Sequence, residues 1–225
     1  MLKNIRKVTM LLFIAATMFS FSSCNKDNNN ENSNNNDTNG TNVSGTIGGH
    51  DYVDMGLSVK WATCNLGTSN PLDLGNQYAW GETYVKGEYS WQNYMCGVDQ
   101  CGTSSDPIYV AGLRDISGTQ FDVAKTTWGN GWRMPTEEHF RTLVDNCTWT
   151  FGQKDGVYGY TVTATNGNSI FLPRAEYWTS SMYGDDYELW NKSWFFGAWP
   201  MNSGVLFGRD VLHRYEGLVV RPVHE

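Results

Sequence analysis

The chain has 225 residues, including 10 Trp, 12 Tyr, 10 Phe, 24 Gly and 6 Pro, and a formal net charge of −7. That acidity excludes a surface built for nucleic acid or anionic lipid, since both need a basic patch. The aromatic load excludes disorder for the main body, and the Gly and Pro content argues against a helical bundle.

Lys3, Arg6 and Lys7 precede the apolar run Val8 to Phe21. That run is too short to span a bilayer and has the form of an export signal. Residues 1–23 are read as a removable signal peptide, whose loss takes the formal charge from −7 to −10. Phe21-Ser22-Ser23-Cys24 resembles a bacterial lipobox, in which small residues precede a cysteine that is lipidated and becomes residue one. Acyl chains of the palmitate type on Cys24 would anchor the protein without a spanning helix. Asn25-Lys26-Asp27 resembles the signal that sends lipoproteins of the Bacteroidota to the outer face. The expected address is the outer membrane, facing the cell exterior. Residues 24–46 then comprise the lipidated cysteine and a tether. From Asn25 to Asn42, ten of eighteen residues are Asn and none is apolar, so nothing repays the entropy of ordering. Its random-coil span is roughly 20–25 Å.

Residues 47–225 hold every Trp and Tyr and suit one domain. Short β segments are expected at Tyr52 to Leu57 and Val59 to Thr63, then at Gln77 to Trp80. A short helix is expected from Asp122 to Thr127, stopped by Gly129. A clearer one follows Pro135, with Thr136 as N-cap and Glu137 and Glu138 where the helix dipole favours anions. In it Phe140, Leu143, Val144 and Cys147 fall on one face, and His139 lies off that stripe as a surface residue. Gly159 to Ala164 and Ser169 to Pro173 flank Asn166-Gly167-Asn168, a strong hairpin turn. Further strands are expected at Tyr177 to Ser180, Ser193 to Ala198, Val205 to Arg209 and Leu218 to Val223. The order predicts an α+β domain with two short helices and mostly antiparallel short strands. No internal repeat is evident.

With Cys24 lipidated, Cys64, Cys96, Cys101 and Cys147 remain, an even number that favours disulfides in an exported chain. Four cysteines allow three pairings. The loop from Cys96 to Cys101 is short and easily closed, which leaves Cys64 with Cys147. Metal binding is the rival, but no Cys-x-x-Cys occurs and His50, His139, His213 and His224 are scattered.

Specific strings add to this. Val53 to Asn65 (Val-Asp-Met-Gly-Leu-Ser-Val-Lys-Trp-Ala-Thr-Cys-Asn), Tyr78 to Thr83, Asp115 to Thr119 and Trp128 to Thr136 resemble, in order, segments of the Fibrobacter succinogenes major paralogous domain family. So do Asn146 to Trp149, Asn168 to Pro173, Tyr177 to Ser181 and Val220 to Val223. The resemblance implies an exported lipoprotein with a C-type-lectin-like fold. It also assigns Trp61, Trp80, Trp132 and Trp178, which sit inside those strings, to the core. Arg174-Ala175-Glu176 leads straight into Tyr177-Trp178, where family members carry a Gly-rich loop, and Met182 to Glu216 is idiosyncratic.

No Gly-x-Ser-x-Gly, P-loop, His-Glu-x-x-His or Gly-x-Gly-x-x-Gly string is present. The reactive late cysteine pair of formylglycine-generating relatives is missing, since no Cys follows Cys147. The calcium-dependent sugar motifs of lectins are missing as well. Asp185, Asp186 and Glu188 offer hard oxygens for calcium, although such a cluster more often forms a solvated loop. No enzyme activity and no cofactor are therefore expected. What remains is a late aromatic and polar segment with candidate ligand residues Tyr183, Tyr187, Trp190, Asn191, Trp194, Trp199, Arg209, His213 and Tyr215, near Asn202 and Arg214. Trp194 and Phe196 share one strand face and Phe195 takes the other. The expected function is a surface lipoprotein whose non-catalytic domain binds an extracellular glycan or protein. The alternatives are a structural or tip subunit of an envelope or fimbrial assembly, and a ligand-binding protein diversified by a retroelement.

Overall fold

Gly48 and Gly49, both at positive φ, turn the chain back on itself between β1 (Gly45–Ile47) and β2 (His50–Val53). In this computed structural model residues 42–184, 190–201, 204–207 and 211–225 are described, with backbone alone over 198–201 and 204–207. β1 starts inside the stretch read as tether, where Gly45 pairs with Tyr52. β3 (Lys60–Ala62) follows on β2, and the Gln77–Trp80 strand is reduced to a single antiparallel bridge from Tyr78 to Leu218.

Four helices occur among the described residues rather than two. α1 (Gly97–Gln100) and α2 (Pro107–Val110) are single turns too short to show an apolar period. α3 (Val123–Trp128) starts on Asp122, whose carboxylate accepts from the N–H groups of Ala124 and Lys125, and stops at Gly129 with φ 62°. α4 (Glu137–Asn146) has a capping box in which His139 stands where Glu or Gln is usual. Thr136 Oγ1 accepts from the His139 N–H, and His139 Nδ1 accepts from the Thr136 N–H, both at 3.1 Å. Burial lowers the His139 pKa, and a neutral ring leaves Nδ1 able to accept. His139 is thus half-buried and structural rather than a plain surface residue.

α2 and α3 are launched by one device used twice, a short internal repeat. Gly102-Thr103-x-x-Asp106 and Gly118-Thr119-x-x-Asp122 each fold the threonine hydroxyl and the aspartate back onto the local backbone. In each, one aspartate oxygen accepts from the glycine N–H and the other from the first turn of the helix. Both glycines have positive φ, 76° and 69°. At Gly102 a side chain would also meet Trp190 Cβ at 3.0 Å.

The strands form three sheets. One runs β1-β2-β3-β11, with β11 (Val223–His224) antiparallel to β3. A second is the meander of β4 (Cys147–Lys154), β5 (Val157–Ala164) and β6 (Ser169–Pro173). The third contains β7 (Glu176–Met182), β8 (Lys192–Met201) and β10 (Val211–His213), with β9 (Gly204–Phe207) also on β8. The domain is therefore α+β with mostly antiparallel sheets. β1, β4 and β10 were not expected; β4 begins at Cys147, which the helical period had claimed for α4.

The β7–β8 pair divides two cores. Tyr177 opposite Phe196 faces the first, with Trp61, Phe140 and Leu143, while Trp178 opposite Phe195 faces the second, with Trp80, Ile108 and Val123. Trp61, Trp80, Trp132 and Trp178 are each 0% exposed, the core positions expected of them. At about 25 cal/mol per Å², each contributes on the order of 5 kcal/mol of burial.

Cys96 and Cys101 form a disulfide with a Cα–Cα distance of 5.2 Å, but Cys64 and Cys147 are free thiols, against the second bridge expected. Cys147 turns into the first core beside the α4 face, whereas Cys64 lies buried after β3, its Sγ 3.5 Å from Thr63 Oγ1. Burial pushes both thiols up, which keeps them protonated. Closing a loop this short still restricts the unfolded chain by about 2 kcal/mol. The double variant Cys96→Ser/Cys101→Ser should lose about that much in denaturant unfolding, while Cys64→Ser/Cys147→Ser leaves no bridge to lose.

Candidate functional site

Opposed residues of an antiparallel pair project to one side, and sides alternate along the strand. Val211 pairs with Trp194 and His213 with Lys192, so these four share a face of β8–β10. Leu212 and Phe195 point the other way, into the second core. The outward face is half-buried. Tyr183 joins it by donating its N–H to the Lys192 carbonyl at 3.3 Å, which sets its ring edge-on to Trp194 with centroids 4.8 Å apart.

The other end of the face is gathered by Trp91, which was not among the candidates. Its ring lies 4.6 Å from Tyr215 and 5.4 Å edge-on from His213, and His213 and Tyr215 are near-parallel at 5.8 Å. His213 Nδ1 is buried and has no hydrogen-bond partner among the described residues. Trp91 opens a 3-10 turn, Trp91–Asn93, shaped by reciprocal bonds between Ser90 and Asn93. Its place beside the β10 strand depends on a contact across more than a hundred residues, which no local pattern reports. The one usable signal is its position just ahead of the Cys96–Cys101 loop.

Beneath the face lies a buried polar cluster. Arg214, fully buried between His213 and Tyr215, donates from Nη1 to Asp106 Oδ2 and to the Trp190 carbonyl, both at 2.8 Å, and from Nε to Tyr94 Oη at 2.9 Å. Its guanidinium lies 4.9 Å from the Trp80 ring centre, a favourable cation–π distance. Tyr94 Oη donates onward to the Trp80 carbonyl at 2.6 Å, and burial pushes its phenol far up. Arg214 is a strut, not the surface group its place in the late segment suggested.

Two further candidates belong to this interior. Trp190 is 5% exposed, edge-on to Tyr109 and 4.3 Å under the Arg114 guanidinium, so it presents no open ring to a ligand. Asn191 gives its carbonyl to the Arg214 N–H, and its Oδ1 is buried without a partner among the described residues. The structure therefore brings together Tyr183, Trp194, His213 and Tyr215 at the face. It turns Trp190 inward as core and leaves Asn191 half-buried beside it. Cys24, Tyr187, Arg209, Asn202 and the acidic trio Asp185, Asp186 and Glu188 lie outside the described residues, as does the side chain of Trp199.

Among the described residues one trio has metal-ligand spacing, Cys96, Cys101 and Asp106. The cysteines are spent on each other and Asp106 on Arg214, so the trio serves structure. No described helix is long and apolar enough to cross a membrane. What the face can do chemically is stack a flat apolar surface and orient it with nearby polar groups. Comparison with family models, curated proteins and solved structures finds no match to this chain.

Proposed function

We propose that the protein is a lipoprotein displayed on the outer membrane, whose C-type-lectin-like domain binds an extracellular glycan without catalysis. The observation that carries this reading is the half-buried aromatic face on β8–β10, with Tyr183 and Trp194 at one end and His213, Tyr215 and Trp91 at the other. Sugar rings offer C–H faces to such rings and hydroxyls to the polar groups around them. The export signal, the lipobox-like Cys24 and the Asn-rich tether support the location. The lectin-like assignment rests on the family strings, and the α+β layout agrees with it.

In a glycan-array experiment with the full chain, binding to at least one polysaccharide class is expected. Trp194→Ala should weaken it tenfold or more, with the fold intact by circular dichroism. Absence of binding to all host, dietary and bacterial glycans defeats this reading.

A structural subunit is the second reading, and β4 favours it. Among the described residues this eight-residue strand is paired only with β5, and Phe151 and the neighbouring Tyr158 are 39% and 56% exposed. An open edge of that length is a template for strand addition from a partner. A stable partner co-purifying from intact cells favours this reading over glycan binding.

A further inference from the structure

Trp91, half-buried among Tyr94, His213 and Tyr215, also lines a separate, shallow cleft. This cleft, of about 240 Å³, runs between the 3-10 turn and the disulfide loop. Its floor is Trp91 with the Cys96 side of the bridge, and its rim carries Gln92, Val98, Asp99 and Gln100. The four rim residues are exposed, Val98 to 43%, and the Gln92 and Asp99 side chains make no hydrogen bond or ion pair among the described residues. The rim is nevertheless held in place. The disulfide closes the loop, α1 fills it with a single turn, and Thr103 Oγ1 donates to the Gln100 carbonyl at 2.6 Å.

We infer that this cleft is a monosaccharide subsite, taking one neutral or amino sugar ring stacked on Trp91 with its hydroxyls or amine held by Asp99 and Gln92. The inference rests on the glycan reading above and assigns it a place. Three observations support it. The volume falls below the roughly 300–1,000 Å³ of pockets for drug-sized ligands, so it suits one ring rather than an oligomer. A carboxylate and an amide beside an indole combine a stacking surface with groups that pair vicinal hydroxyls. The negative net charge and Asp99 itself disfavour sugar acids, while an amine gains from both the carboxylate and the ring.

The test is titration of the full chain, by calorimetry and saturation-transfer NMR, with the methyl glycosides of glucose, galactose and mannose, with glucosamine, and with glucuronic acid. Binding of at least one neutral or amino sugar is expected, with glucuronic acid at least tenfold weaker. Asp99→Asn should weaken binding of that sugar about tenfold at an unchanged melting temperature, because the residue is exposed. Gln92→Ala should weaken it several-fold. Trp91→Ala should abolish binding, and Trp91→Phe, which keeps a ring on the floor, should restore part of it. The subsite is refuted if none of these sugars binds, if glucuronic acid binds as tightly as the neutral sugars, or if Asp99→Asn and Gln92→Ala leave the affinity unchanged. Should polysaccharide binding fall with Trp194→Ala yet ignore Asp99→Asn, the glycan reading stands and this subsite is wrong.

Discussion

Asp106→Ala is expected to destabilise the domain by about 3–5 kcal/mol, the cost of leaving one member of a buried ion pair alone. Asp106 and Arg214 are both 0% exposed. Removing the carboxylate strands the guanidinium with the Trp190 carbonyl, Tyr94 Oη and the Trp80 ring, none of which carries a compensating charge. The loss is also local, since Asp106 caps α2 through the Ile108 N–H at 3.0 Å and holds the Gly102 N–H at 3.1 Å. For a domain of this size the melting temperature should fall by about 10–15 °C. Arg214 sits between His213 and Tyr215, so the aromatic face should loosen even where the variant stays folded. The double variant Asp106→Leu/Arg214→Met, which removes both charges, should recover much of the loss. A cost below about 1 kcal/mol for Asp106→Ala would show that water reaches Arg214.

Asp122→Ala should cost about 3 kcal/mol, and its mechanism differs because no cation among the described residues faces the carboxylate. Asp122 is 0% exposed, and its two oxygens accept from the N–H groups of Gly118, Ala124, Lys125 and Met134 at 2.8–3.1 Å. Truncation orphans four donors, of which the Ala124 and Met134 N–H groups are buried at a nominal 1–3 kcal/mol each, while those of Gly118 and Lys125 are part-buried and can turn to water, so the cost stays near that of the buried pair. Asp122→Asn keeps one acceptor oxygen and points an amide at the remaining donors, so it should cost about half as much. Amide hydrogen exchange separates these effects from global unfolding. In Asp122→Ala the Ala124 and Lys125 amides should lose protection well before those of β7. Equal loss in both places would mean that the aspartate supports the whole domain rather than its own loop.

The parts of this fold that were legible in the sequence are those in which a local rule and the burial agree. Thr136 before Glu137-Glu138, with Phe140 and Leu143 on one stripe, specifies α4, and Asn166-Gly167-Asn168 specifies the β5–β6 hairpin. The site was legible by segment and not by residue. Trp190 and Trp194 look alike in sequence, yet Trp190 packs into the second core and Trp194 lies on the outward side of β8. That sorting is made by the pairing of β8 with β10, a strand of three residues too short to carry its own pattern. Trp91 and the Arg214–Asp106 pair depend on contacts across more than a hundred residues, where periodicity has no reach. The even cysteine count misled because Cys147 has apolar neighbours enough to be a small core residue.

The pairing of β11 with β3 sets the order in which the molecule can be finished. Val223 lies opposite Trp61, about 160 residues earlier, and the Arg133 and Val223 backbones bond each other at 2.9 and 3.0 Å. The strand that completes the first sheet is thus made about 160 residues after the strand it pairs with. Until it arrives, β3 is paired on one side only, through Trp61 opposite Val53. A sheet stitched across so long a stretch of chain closes only once both segments have met.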